Sequence, residues 1–130
     1  MLYTALVTAF ALILYLALTM NVGKARGTYG VKAPATTGNE AFERVYRTQM
    51  NTLEQLVFFL PSLWLFSNFL EAPKIGALIG LVWIGGRILF ARDYYAAAEK
   101  RGRGFIISGL ASVVLLLGGI VGIVGQLLGY

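Results

Sequence analysis

The chain contains neither cysteine nor histidine. No disulfide can form, thiolate and imidazole metal sites are excluded, and no Cys nucleophile or His base is available. Any thiol chemistry must use a thiol that a substrate brings. Charge is scarce too. Only 13% of the 130 residues are Asp, Glu, Lys or Arg, against about 25% in an ordinary soluble domain. Residues 2–20 hold no ionisable group other than tyrosine, and residues 104–130 none other than Tyr130. With 58% hydrophobic residues, the chain is too apolar for a soluble monomer or for disorder. It reads as an integral, polytopic membrane protein.

What charge there is leans positive, eleven Lys+Arg against six Asp+Glu. In a membrane protein this balance reports topology or anionic lipid. No basic recognition element stands outside the membrane segments, so no nucleic-acid partner is expected.

A spanning helix needs about 20 apolar residues. Four segments qualify, at roughly 2–22, 41–69, 74–98 and 105–128. Together they make residues 1–130 a single all-α membrane domain. The connections are short, so consecutive helices should pack antiparallel as an up-down four-helix bundle. Lys24, Arg26, Lys32, Arg44 and Arg47 gather around the first loop, and Arg87, Arg92, Lys100, Arg101 and Arg103 toward the third. Only Lys74 belongs to the opposite side. The positive-inside rule then predicts loops one and three in the cytoplasm and both termini across the membrane. Short loops suit a bacterial inner membrane.

Small residues recur at helical spacing: Gly118, Gly122, Gly125 and Gly129; Gly76 and Gly80; Ala5 and Ala9. Such stripes serve packing within the bundle or between subunits. Pro61 inside the second segment removes a backbone donor and predicts a kink near Ser62.

An ionisable residue inside a membrane helix costs at least about 2.5–3.5 kcal/mol at the centre and is a functional signal. In the second segment, Arg44, Arg47, Asn51 and Glu54 share one stripe about 80° wide. In the third, Trp83, Arg87, Phe90, Tyr94 and Arg101 share another. Two such stripes near one membrane face predict a common pocket. At least three arginines there compete for Glu54. Internal pairing of Glu54 with Arg47 or Arg87 is one outcome. An excess of guanidinium otherwise suits an anion, since its planar fork matches carboxylates. A glutathione-like peptide offers two carboxylates and an ammonium for Glu54. Arg92 and Asp93 lie on other faces and suggest a surface or inter-subunit pair, and Tyr95 an interfacial anchor.

The run Phe42-Glu43-Arg44-Val45-Tyr46-Arg47-x-Gln49-x-Asn51-x-x-Glu54 resembles the signature of the membrane-associated proteins in eicosanoid and glutathione metabolism. That family includes leukotriene C4 synthase, the microsomal glutathione transferases and the 5-lipoxygenase-activating protein. Asn21-Val22-Gly23-Lys24-Ala25-Arg26 is similar to the first loop of its type-three transferases. Trp83-Ile84-Gly85-Gly86-Arg87-Ile88-Leu89-Phe90-Ala91, with Tyr94-Tyr95 and Lys100-Arg101-Gly102-Arg103-Gly104, resembles their third helix and following turn.

The resemblance implies a homotrimer of four-helix subunits, with glutathione as co-substrate between neighbours and a lipophilic substrate in an intramembrane groove. It implies that Arg47, Gln49, Asn51 and Glu54 hold glutathione, with Arg87 and Tyr94 beside them and Arg26 reaching in from another subunit. Arg101 would be the catalytic residue. A thiolate is the reactive form of a thiol whose free pKa is about 8.5. A nearby cation favours that form, and arginine stays protonated, so Arg101 would stabilise the thiolate while the proton leaves to water. Arg103, on the same turn, is the competing candidate. No metal is implied. Phe90 departs from a tyrosine common in relatives, and Gln55 from an apolar residue. The implied activity is attack of glutathione thiolate on a lipophilic electrophile or lipid hydroperoxide. The same pocket also admits a non-catalytic reading, in which it binds a phospholipid or fatty acid.

Overall fold

The computed structural model describes residues 1–130 and is helical throughout, with no strand. Its long helices are α1 (Leu2–Tyr29), α2 (Glu40–Phe69), α3 (Pro73–Ala96) and α4 (Gly102–Leu127). One 3₁₀ turn, Ala98–Lys100, links the last two. They run up and down. Thr4 at the start of α1 donates to Ser67 at the end of α2 (3.0 Å), and the start of α4 meets the end of α3 at Gly104 and Phe90.

Three of the four expected spans, α1, α3 and the α4 region, are long and apolar enough to cross a membrane. α2 falls short on composition, because its first half carries Glu40, Glu43, Arg44, Arg47 and Glu54. It packs against all three other helices, whereas α1 and α4 lie on opposite sides of the α2–α3 pair. Its polar half buries Phe42, Thr48 and Thr52, while Glu40, Arg47 and Glu54 stay exposed. Asn39 starts α2, its side chain accepting from the Phe42 amide (2.9 Å). Glu40 and Glu43 suit the positive helix N-terminus.

α1 overruns its expected end near residue 22 by about two turns. Gly23 and Gly27 do not stop it, because Val22 and Ala25 bury against Phe42 and Val31 in a small second core. It ends at Gly30, in the left-handed conformation (φ 71°), whose N–H bonds the Arg26 carbonyl. The main core joins Val7, Phe59, Leu63, Trp83 and Leu115. Phe59 and Trp83 stack face to face, 4.1 Å apart at 4°. Pro61 lies within an unbroken α2, and the neighbouring Ser62 hydroxyl donates to the Phe58 carbonyl (2.7 Å).

Of the two readings of the small-residue stripes, packing within the bundle accounts for Gly76, Gly80, Gly118 and Gly122. A methyl at Gly122 would strike the backbone of Phe69 and Leu70, whereas Gly125, one turn on, faces open space. Gly122→Ala is expected to lower stability by about 1–3 kcal/mol through overpacking. Gly125→Ala should be neutral or stabilising by up to about 1 kcal/mol through helix propensity. Melting curves of the two variants in detergent check this. Equal destabilisation would contradict the packing.

Candidate functional site

At the end of the bundle that carries loops one and three, α2, α3 and the start of α4 enclose a cavity of about 540 Å³. Its lining includes Arg47, Asn51, Phe90, Tyr94 and Arg101, with Phe105 from α4. Two guanidinium groups face this space and no carboxylate does. Both arginines are exposed. Arg101 is steadied by a bond from Nη1 to the Ala98 carbonyl (2.8 Å) and by the Tyr94 ring beneath it (5.4 Å). Arg47 has no bonded partner within the chain. A second cavity of about 380 Å³ adjoins the first through Arg47 and Tyr94, and adds Glu40, Glu43 and Arg44. Together they present cations and carboxylates in neighbouring compartments, an arrangement suited to a small zwitterionic or polyanionic molecule.

Of Arg101 and Arg103, only Arg101 lines this cavity. Arg103 turns away and grips Asp93 with two bonds, Nε to Oδ2 at 2.6 Å and Nη2 to Oδ1 at 3.1 Å. This is the only ion pair in the structure. It also corrects the expected Arg92–Asp93 pairing. Asp93 faces α4, and its partner comes from there.

Arg87 does not line the cavity. It is fully buried behind it. Its Nη1 donates to Asn51 Oδ1 (2.7 Å), and its guanidinium lies 4.1 Å over the Phe90 ring. Nε and Nη2 have no partner. Arg87 thus grips two residues of the cavity wall from inside. With its oxygen held by Arg87, Asn51 keeps its NH₂ group for the cavity side.

The other sequence-predicted residues stand apart from the cavity in the single chain. Gln49 projects from the opposite side of α2 toward α1, donating to Thr19 Oγ1 (3.1 Å) and weakly to Tyr15 (3.5 Å). Arg26 donates to the Val31 and Ala35 carbonyls (3.3 and 2.7 Å) and stacks over Phe42. Glu54 lies one turn beyond Asn51 on the same α2 stripe, exposed, and pairs with neither Arg47 nor Arg87. Tyr95 is bonded within the bundle. Its hydroxyl accepts from Asn21 (3.2 Å) and its carbonyl from Arg44 (3.3 Å), tying α1, α2 and α3 together.

Phe105 escaped the sequence reading. It lies four residues after Arg101, a spacing that brings both to one face, but apolar residues of α4 carry no signal distinguishing a cavity wall from a lipid-facing surface.

Asn51→Ala would leave the buried Arg87 cation without a hydrogen-bond partner and is expected to cost about 1.5–3 kcal/mol. Arg87→Met removes the buried cation at similar volume and leaves only the neutral Asn51 amide, which lines the cavity and can meet water, so it should cost less. Denaturant unfolding of both variants in detergent tests the order. A larger loss for Arg87→Met would contradict it.

The MAPEG family model matches residues 4–121. An uncharacterized protein of Synechocystis is 57% identical over 98% of this chain and 92% of its own length. Human microsomal glutathione S-transferase 2 is 41% identical, over 76% of this chain and 67% of that protein. Bovine leukotriene C4 synthase is 35% identical, over 75% of this chain and 64% of that protein. A family match along nearly the whole chain, on a helical bundle of this architecture, makes this protein a member of the MAPEG family.

Proposed function

We propose that the chain is a membrane-bound glutathione transferase. The observation that carries this reading is the convergence of Arg47, Asn51, Tyr94 and Arg101 on one carboxylate-free cavity. Its volume falls within the range of about 300–1,000 Å³ typical of small-molecule sites. Relatives named as glutathione S-transferase and leukotriene C4 synthase support glutathione as co-substrate. Arg47 takes a glutathione carboxylate as a bidentate partner. Asn51, braced by Arg87, donates its amide. Arg101 stands by the sulfur and stabilises the thiolate. With a lipophilic electrophile such as an epoxide or enone, the thiolate sulfur bonds to carbon, the C–O or C=C electron pair moves to oxygen, and that oxygen takes a proton from water, which replaces the proton the thiol released. With a lipid hydroperoxide, the sulfur takes the terminal oxygen as the O–O bond breaks, the lipid leaves as its alcohol, and a second glutathione converts the sulfenic acid to disulfide and water. Arg101 holds its own proton throughout.

The working unit of this proposal is a homotrimer. Arg26, Gln49 and Glu54 stand outside the chain's own cavity, and Glu54 is exposed on a helix packed within a membrane bundle. A neighbouring copy gives these three a ligand to meet, with Glu54 on the glutathione ammonium. Loops one and three face the cytoplasm, where glutathione is dissolved, and the termini face the other side. The 57% identical relative in Synechocystis supports a bacterial inner membrane.

Saturating glutathione, at about 100 times its dissociation constant, should stabilise the detergent-purified protein by about 2.7 kcal/mol. Arg47→Ala should abolish the shift. Arg101→Ala should retain most of it while turnover of a model electrophile falls about 10²–10³-fold, as on loss of a charge-stabilising donor. No shift with the wild-type protein, or full turnover by Arg101→Ala, would defeat the reading. A phospholipid that copurifies in place of glutathione would favour the non-catalytic alternative.

A further inference from the structure

Beyond this site, the outer side of the α3–α4 pair carries two cavities that nothing in the glutathione reading uses. The first, about 630 Å³, sits at the end of the pair next to loop three. Arg92, Lys100 and Arg103 line it, with Asp93 and Glu99. Three cations and two carboxylates leave one net positive charge. Arg92 and Lys100 are exposed and belong to no ion pair. Arg103 spends Nε and one N–H of Nη2 on Asp93. Asp93 therefore orients the guanidinium, and its remaining N–H groups stay free for an anion.

The second cavity, about 330 Å³, lies deeper on the same pair and is wholly apolar: Ile79 and Val82 from α3, with Ile107, Leu110, Ala111 and Val114 from α4. Helical phase aligns the two. On α4, positions 103, 107, 110 and 114 fall within about 60° at 100° per residue. On α3, positions 79, 82 and 93 do the same. Asp93 and Val82 are eleven positions apart, about 16 Å along the helix. That matches half of a hydrocarbon core about 30 Å thick. When the basic cavity sits at headgroup level, the apolar one sits near the bilayer midplane, directly below.

We infer that this furrow is a binding site for one phospholipid with an anionic headgroup. Its phosphate is held by Arg92, Lys100 and Arg103, and one acyl chain descends along Ile107 into the apolar cavity. The one net positive charge complements a phosphodiester with a single negative charge, such as phosphatidylglycerol, and gives a zwitterionic lipid no such match. A water-soluble phosphate would make no use of the apolar half. The site differs from the Arg47–Arg101 cavity, sharing with it only Gly102, and neither Arg92 nor Lys100 lines that space.

The test uses the full chain in detergent, titrated with phosphatidylglycerol or phosphatidylcholine, with retained lipid counted by native mass spectrometry. Phosphatidylglycerol should be retained roughly tenfold more tightly or better. The double variant Arg92→Ala/Lys100→Ala should erase that preference. Leu110→Trp, which fills the apolar cavity, should weaken retention of both lipids. Both variants alter exposed residues, and their circular dichroism and melting should match wild type. Equal retention of the two lipids, or an undiminished preference in the double variant, would overturn the headgroup assignment. Unchanged retention by Leu110→Trp would overturn the acyl groove. Glutathione is absent from these titrations, so failure of the transferase reading leaves their outcome intact.

Discussion

Arginine at the end of a membrane bundle must be satisfied by something, and here no carboxylate comes within ion-pair distance of the four that gather there. Arg44, Arg47, Arg87 and Arg101 stand at one end of the bundle, and none is in an ion pair. Three are answered from within. Arg44 donates to a backbone carbonyl of α3, Arg87 to Asn51 and the Phe90 ring, and Arg101 to the turn before α4. Arg47 is left unanswered. The positive potential of Arg47 and Arg101, both exposed, falls on one cavity. Two guanidinium groups and no carboxylate on its lining suit that cavity to an anion.

The scaffold exists to hold this imbalance in shape. α2 is too polar to qualify as an isolated span, yet with α3 it forms the central pair, each packed against all the other helices. Its apolar half, through Phe59, Leu63 and Phe66, anchors it in the core. Its polar half is thereby held beside α3. The close approach of α4 to α3 depends on Gly104, where any side chain would meet the Phe90 backbone. That approach brings Phe105 and Arg101 to the cavity that Phe90 and Tyr94 share. Asp93 completes the arrangement by drawing Arg103 outward, leaving Arg101 alone on the inner side.

Much of this was legible in the sequence. Long apolar runs and short turns carry a helix bundle directly, and the 100° periodicity put Arg47 and Asn51 on one stripe and Phe90 and Tyr94 on another. The reading failed where tertiary contacts decide. Gly23 and Gly27 suggested a loop, but the burial of Val22 and Ala25 under Phe42 extends α1 through both. Arg87 has the periodicity of a ligand contact, yet lies behind the wall, because phase locates a face and says nothing of depth. Arg92 neighbours Asp93 in sequence, but adjacent helical residues diverge, and the partner came from α4. Arg26 and Gln49 lie within the matching motifs but point away from this chain's own cavity and bond to Val31, Ala35 and Thr19.

The most direct measurement is the titration of the bound glutathione thiol, followed by thiolate ultraviolet absorbance on the reconstituted protein. A cavity governed by unpaired guanidinium groups predicts a thiol pKa well below the free value of about 8.5, with thiolate present at neutral pH and lost in Arg101→Ala. Glutathione that binds but keeps an unshifted thiol, in wild type and variant alike, would contradict the role given to Arg101.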